Sequence, residues 1–331
     1  MLGSRTCLGI GLGALLLGCG DGTEIAGTSV TGTGPGPGSG AVGSCTTASY
    51  HAEQGRLLQG SRGSSFTLES ISLGCGNVSN LHVEGAQLLA VNNGTVVSGT
   101  DFIGGMVTMR DAQGLLATAR ITGVVRDAAD PTGATFLYTL SYLDPITGAT
   151  VDACLPDRTG VAAALPLRGR WDATGAKQDE NTAISLGCTS GALAKCVRWG
   201  YRPWESVNGT SLADYHQACT RMARADYCGN GTSYTLDGTA IDIYDRLPVL
   251  TRDPSLLSLF ESSWAPSGAY CIARERWLAL LNLLPITCSS QFELSIAASP
   301  VSPSDLCLVK RSGAQPTEAL INNSTGINIK L

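Results

Sequence analysis

Charge is sparse in this chain, lysine is much rarer than arginine, and no run of basic residues occurs. Charged residues make up 15% of the sequence and the formal net charge is −5. Phosphate binding needs a clustered positive surface, so nucleic acid is not an expected partner. Histidine is scarcer still, with only His51, His82 and His216. A histidine-based centre therefore has little to draw on, and neither a Gly-x-Ser-x-Gly elbow nor a Cys-x-x-Cys pair is present. Aromatic residues amount to 6%, against 41 glycines. High glycine with many Thr and Val favours β structure with tight turns. Long apolar runs are also missing: the stretch 8–17 is too short to span a bilayer as a permanent helix.

What that stretch does resemble is a signal peptide over residues 1–18, with Arg5 ahead of the apolar core. It ends in Leu16-Leu17-Gly18-Cys19, an order that resembles a bacterial lipobox. Cys19 is then the lipidation site, and acyl chains anchor at about 0.8 kcal/mol per buried methylene. Gly20 after the cysteine points to the outer membrane or cell surface, facing the periplasm or the exterior. Residues 19–44 follow as a lipid-anchored flexible linker, dominated by Gly, Thr, Ser and Pro and unable to bury a core.

Twelve cysteines, less Cys7 in the leader and Cys19 at its end, leave ten. These are Cys45, Cys75, Cys154, Cys188, Cys196, Cys219, Cys228, Cys271, Cys288 and Cys307. An even count in an oxidising compartment predicts up to five disulfides, each contributing roughly 2–4 kcal/mol. Spacing does not set the connectivity. Cys288 with Cys307, and pairs among Cys188, Cys196, Cys219, Cys228 and Cys271, are the expected arrangement.

Residues 45–166 read as a β-rich region. Strands are expected over 65–73, 87–91, 95–97, 102–110, 115–125 and 135–143, separated by Asn-Asn-Gly, Asp-Ala-Gln-Gly, Asp-Pro-Thr-Gly and Asp-Pro-Ile-Thr-Gly turns. Short strands with such turns predict a sandwich or small barrel, and Leu167 to Trp171 either close that sheet or start the next unit. Residues 167–331 read as a disulfide-rich α+β region, so the fold class expected is α+β with a sandwich- or barrel-like first half. Asp253-Pro254 predicts a helix through Trp264, and Arg274 to Leu284 a second one ended by Pro285. Ile-Ser-Leu-Gly-Cys occurs at 71–75 and again at 184–188 with no longer repeat around it, which reads as coincidence.

The densest signals lie in 211–245. Ser211 and Asp214 approximate a capping box. Leu212, Tyr215, His216, Cys219, Met222 and Ala223 form the buried stripe of a helix, with Gln217, Thr220, Arg221 and Arg224 on the solvated side. Gly229 and Gly231 predict a stop near Cys228. Asp237-Gly238 between β-prone runs predicts a hairpin over 234–243, with Asp242 pointing to solvent.

Ala225-Asp226-Tyr227-Cys228 carries a resemblance. Together with the run from Lys195 to Trp204, the run from His216 to Arg224, Leu165-Pro-Leu-Arg-Gly-Arg-Trp171 and the 260–277 segment, it is similar to the ADYC domain, over about 101–288. That family occurs in secreted and lipid-anchored proteins of myxobacteria and their relatives. The resemblance implies no biochemical activity. Cys154-Leu-Pro-Asp departs from the Pro-Leu-Cys order that it would lead one to expect.

Several constellations have a chemical and a structural reading. His216 and Cys219 on one helix face, with Cys196 and Cys228, are zinc-ligand types, but their spacing is not a zinc pattern and disulfides are the stronger expectation. His216 with Asp226 or Asp214 could orient an imidazole for acyl transfer. Asp226, Asp237, Asp242 and Asp245 could supply paired carboxylates for glycoside hydrolysis, although Asp is also a common turn residue. Trp199, Tyr201 and Trp204, interleaved with Arg198 and Arg202, form a sugar- or peptide-binding platform or else pack beside Cys196. Asn93 and Asn208 have no meaning as glycosylation signals in a bacterial lipoprotein. The expected protein is a non-enzymatic binding or structural module of the cell envelope, with the membrane as partner through its lipid, an envelope glycan or protein as ligand, and no cofactor or metal. The alternative is an envelope hydrolase acting on glycan or peptide through His216, Asp226 and Asp242.

Overall fold

The structure is a computed structural model and describes residues 66–110, 114, 116–144, 147–178, 182–236, 238–255, 258–279, 288–295, 306–326 and 328–330. The leader, Cys19, the linker, Cys45 and His51 lie outside the described residues, as does Asp237.

The first half is built from β1 (Phe66–Leu73), β2 (Ser79–Glu84), β3 (Gln87–Asn92), β4 (Thr95–Ser98), β5 (Met106–Arg110), β6 (Leu116–Arg126), β7 (Phe136–Leu143), β8 (Thr150–Asp152), β9 (Ala164–Arg168) and β10 (Ile184–Cys188). Six of these, in the order β9-β10-β1-β5-β6-β7, form an antiparallel barrel that closes where Ala164 of β9 pairs with Tyr138 of β7. Register shifts at Leu68/Ser70 and Ile121/Gly123 mark the bulges that bend β1 and β6. Alternation puts Ile71, Val107, Met109, Ile121 and Leu140 in one core. The β2-β3-β4 sheet adds Val83, Leu88 and Ala90 to it. Leu88 N–H donates to the buried Tyr138 hydroxyl (2.9 Å), and burial pushes that phenol up to about 12 despite this bond.

β9 is buried on both faces, which is why Ala164-Leu-Pro-Leu-Arg168 does not alternate. Ala164 faces the barrel core, whereas Leu165 and Leu167 pack outward on α1 (Ala192–Arg198) through Leu193, Ala194 and Val197. The barrel thus draws β10 from beyond residue 166, and β10 (Ile184–Cys188) lies directly against β1. The two Ile-Ser-Leu-Gly-Cys copies are therefore on neighbouring strands.

The second half holds α2 (Ala213–Arg224) against an antiparallel sheet of β11 (Ile241–Asp245), β12 (Leu259–Ala265), β13 (Gly268–Ile272), β14 (Phe292–Leu294), β15 (Val309–Arg311) and β16 (Ile321–Thr325), in the order β11-β16-β12-β13-β15-β14. The chain is mostly β, with α1 and α2 as the helices among the described residues. The helix expected from Asp253 to Trp264 is instead β12, and β12 and β13 form a hairpin across Pro266-Ser267. Where the second helix was expected, Trp277–Ala279 is a strand parallel to Asn328–Lys330. Residues 234–236 and 238–240 are not a strand, and β11 pairs with β16 rather than completing a hairpin.

α2 begins with Leu212 as its cap rather than with a capping box, and Ser211 accepts only the Ala213 N–H (3.2 Å). It ends earlier than expected. Ala225 takes the left-handed conformation (φ 50°), and Asp226 N–H bonds back to the Arg221 carbonyl (2.9 Å). Gln217, Thr220 and Arg221 are buried, not solvated, because Trp171, Thr174 and Gly175, together with Pro266, lie against that face of the helix. Trp171 Nε1–H donates to Gln217 (2.9 Å), and Gln217 donates to the Gly175 carbonyl (2.8 Å).

Disulfides join Cys154–Cys188, Cys196–Cys219, Cys228–Cys288 and Cys271–Cys307. Cys75 is also disulfide-bonded, to a residue outside those described. Cys288 and Cys307 are therefore not partners, and of the five clustered cysteines only Cys196 and Cys219 pair with each other. The pairing is set by layers: one bridge ties α1 to α2, and Cys271–Cys307 lies on the sheet face away from α2.

Candidate functional site

The end of α2 carries a buried ionic network. Asp226 (0% exposed) accepts from Arg221 (2.6 Å) and from the Asn230 and Gly231 N–H groups (3.2 and 3.0 Å). Arg221 also donates to the carbonyls of Pro266 (3.2 Å) and Thr174. Tyr227 stacks on Trp264 with ring centroids 5.1 Å apart and donates to Glu261 (3.1 Å). Burial first, and then the Glu261 charge, push its phenol well above the ordinary range, with Arg276 opposing. Glu261 pairs with Arg276 through two bonds of 3.0 Å, both residues being fully buried. Arg276 in turn donates to the carbonyls of Met222 (2.7 Å), which also accepts the Ala225 N–H, and Ala223 (3.2 Å), at the end of the helix where carbonyls lack intrahelical donors. Cys228 bridges to Cys288, and Tyr227 and Gly229 meet the β12–β13 hairpin tip, with Ala269 N–H donating to the Tyr227 carbonyl (3.0 Å). An added Cβ on Gly229 would fall 1.8 Å from the Ser267 carbonyl oxygen, so this contact requires glycine.

The proposed catalytic residues do not converge. His216 is fully buried, with Nε2 3.0 Å from the Leu193 carbonyl and its ring edge-on to Trp171 at 5.9 Å. The carbonyl can only accept, so Nε2 carries the proton. Desolvation lowers the imidazole to about 4, with Lys177 also disfavouring charge and the Leu193 bond opposing both. Asp226 gives its oxygens to Arg221 and the following turn, as above. Asp242 is buried, not solvent-facing, and accepts the Asp253 N–H (3.1 Å) beside Arg252 at 3.7 Å. Asp245 accepts the Tyr201 hydroxyl (2.8 Å) and the N–H groups of Leu247 and Leu250, and Asp214 is exposed. The sulfurs that a zinc site near His216 would need are in disulfides, and no group of three His, Cys, Asp or Glu among the described residues is arranged to hold a metal.

The three aromatic residues are also divided. Tyr201 is fully buried and stacked on Tyr215 (6.4 Å), Trp204 packs with the α1–β9 core, and Trp199 lines a cleft. Arg198 and Arg202 do not interleave as stacking partners: Arg198 bonds Asp127 (2.7 Å) and Asp157, and Arg202 bonds Asp130 (3.0 Å) and Glu205 (3.2 Å).

That cleft has a volume of about 470 Å³ and lies between the Asp157–Arg158–Thr159 turn of the barrel side, the end of α1 and the start of β11. Lys195, Arg198 and the capping Trp199 line it from the α1 side, and Ile241, Asp242 and Ile243 from β11. Arg158 reaches across to the Gly238 carbonyl. Burial tends to raise the Asp157 carboxyl, but bonds from Thr159, Val161 and Arg198 outweigh it and hold it below the usual range. Lys195 and Arg158 were not singled out in the sequence, and Lys195 is one of only four lysines. Scarcity was the one available signal.

The ADYC domain model matches residues 99–278, more than half of the chain. The chain belongs to the ADYC domain family. Neither a curated protein nor a solved structure matches it. In this ADYC chain the tetrapeptide is a helix stop, an ion pair, a stacked phenol and a disulfide, in that order, and all four residues face inward.

His216 gives a pH signature. An imidazole lowered to about 4 in the fold binds fewer protons than the unfolded chain, whose value is about 6.5. The His216 contribution is therefore full above pH 6.5 and falls by roughly 3 kcal/mol as the pH drops to 4, whereas Glu275, whose carboxyl burial raises to about 7, gives the opposite slope between about 7 and 4.5. Asp130, Asp157 and Asp172 are held below their ordinary value, so their contributions are lost only at still lower pH. Urea unfolding at stepped pH should show the wild type losing stability relative to His216→Phe as the pH falls from about 6.5 to about 4; an identical slope in both would rule His216 out.

Proposed function

We propose that this ADYC protein is an exported, lipid-anchored component of a bacterial cell envelope whose folded part is a non-enzymatic binding or structural module. The inward use of the family's motif carries the reading. Asp226, Tyr227 and Cys228 hold α2, the β12–β13 hairpin and Arg276 together, a role that leaves none of them open to a substrate. Disulfides suit an oxidising compartment, and no helix among the described residues is long and apolar enough to cross a membrane. Attachment is assigned to Cys19, with residues 20–44 as the tether and an envelope glycan or protein as the ligand. A hydrolase would need His216, Asp226 and Asp242 in one place, and of these the cleft lining includes Asp242.

The anchor is tested by fractionating cells that express the full chain or its Cys19→Ala variant. The wild type is expected in the membrane fraction with an acylated N-terminal cysteine by mass spectrometry, and the variant in the soluble fraction. Wild-type protein without an acyl chain would end the lipoprotein reading.

A further inference from the structure

The geometry points to the cleft as the binding site for a small organic carboxylate with a flat or apolar face. This deepens the module reading and takes from it only the compartment. The volume of about 470 Å³ lies within the range of small-ligand pockets, about 300–1,000 Å³.

The charges in the wall define the ligand's sign. Arg198 is already matched by Asp127 and Asp157. Asp242 already accepts the Asp253 N–H and has Arg252 beside it. Lys195 and Arg158, in contrast, have no ion-pair partner among the described residues, and the Arg158 guanidinium is held at the cleft by the Gly238 carbonyl. Two cations with no ion-pair partner among the described residues thus line one cleft, beside Asp157 and Asp242, which have Arg198 and Arg252 against them. A carboxylate placed there gains charge-assisted hydrogen bonds that water alone would not provide as strongly.

The remaining wall defines the ligand's other end. The Trp199 indole, Ile241, Ile243 and Leu250 form an apolar surface facing the same space. A ring or apolar side chain resting there would exclude water from the carboxylate contact, and an indole face accepts the C–H face of a sugar as readily as a side chain. A short peptide with a free C-terminus and an acidic sugar share this chemistry, and both occur among envelope polymers.

Calorimetric titration of the folded protein distinguishes them. The probes are the tripeptide Ala-Ala-Tyr with its C-terminal amide, and a glucuronic acid disaccharide with its methyl ester. At least one acid is expected to bind about tenfold more tightly than its neutral counterpart, and which acid does so identifies the source. Lys195→Gln should abolish that preference, Lys195→Arg should keep it, and Lys310→Gln on the six-stranded sheet should leave it unchanged. Lys195 is partly exposed, so unchanged urea midpoints for these variants are expected and serve as the folding control. The proposal is overturned if neither acid binds at millimolar concentration, if acid and neutral forms bind alike, or if Lys195→Gln binds as the wild type does. Such a failure leaves the Cys19 experiment, and the anchored-module reading, untouched.

Discussion

Arg276→Met is expected to lower the unfolding free energy by about 3–5 kcal/mol, because removing one partner of a buried ion pair strands the other charge. Arg276 and Glu261 are both fully buried and joined by two bonds of 3.0 Å. Methionine fills similar volume, so packing loss is small and the cost falls on the polar groups left behind: a buried Glu261 carboxylate without its cation, an Ala223 carbonyl without its Arg276 donor, and a Met222 carbonyl reduced to the Ala225 N–H. Glu261→Met alone should cost a similar amount by stranding Arg276. The double variant should recover part of the loss, since two apolar residues leave no unpaired charge. Urea unfolding of the four proteins measures this directly. A single-variant loss below about 1 kcal/mol, or a double variant no better than the worse single one, would show that the pair is not the anchor described here.

Asp226→Asn is expected to cost about 3 kcal/mol, and for a related reason. The amide keeps the shape, but its single oxygen can accept only one of the Asn230 and Gly231 N–H bonds, which go to different carboxylate oxygens, and it no longer balances Arg221, whose side chain is 3% exposed. Arg221 also holds the hairpin tip through the Pro266 carbonyl, so the loosening should spread from α2 to β12 and β13. Hydrogen exchange should show faster amides at Ala269 and Asp226 in the variant. The decisive outcome is the combination of readouts. Unchanged stability with a lost binding activity would make Asp226 a functional residue and overturn its architectural role.

The strands of the first half were legible because their boundaries are written in turn chemistry. Asn93 and Gly94 both have positive φ (49° and 79°), as the tight β3–β4 turn demands. β1, β3, β4, β6 and β7 consequently fall within a residue or so of their expected bounds. β2 was not anticipated: four of its six residues are exposed, so it lacks an apolar face to betray it. The second half misled for the opposite reason. β12 is buried at six of seven positions, and a segment buried on both faces has lost the period-two signal that separates a strand from a helix. Arg274 opens the helix expected to Leu284, with Trp277 on its buried face, yet Arg276 between them is the most deeply buried arginine among the described residues. Long-range partners decide such cases: Glu261 and Arg276 are both predictable as surface residues until each is known to face the other.

The motif itself was readable as architecture, because helix stops and cysteines have local signatures, whereas the cleft was not. Its walls come from the 157–159 turn, α1, Thr235, Leu236, Gly238 and Thr239, and β11, which are distant in sequence and share no periodicity. Only the fold brings Lys195 to Arg158.

The barrel's closure has a consequence for how the chain is made. β1, β5, β6 and β7 follow one another as a meander that can pair as soon as it emerges, but Phe66 must wait for Leu186. Until β9 and β10 arrive, the early strands form an open sheet whose β7 edge is covered by β8 only at 141–143, and open edges are templates for the wrong neighbour. Closing pairs of such long separation are slow to form, and Cys188 reaches Cys154 only with that same late strand. The interval between synthesis of β7 and β10 is thus the vulnerable period of this protein's life, when a holding chaperone or a disulfide catalyst would have most effect on yield.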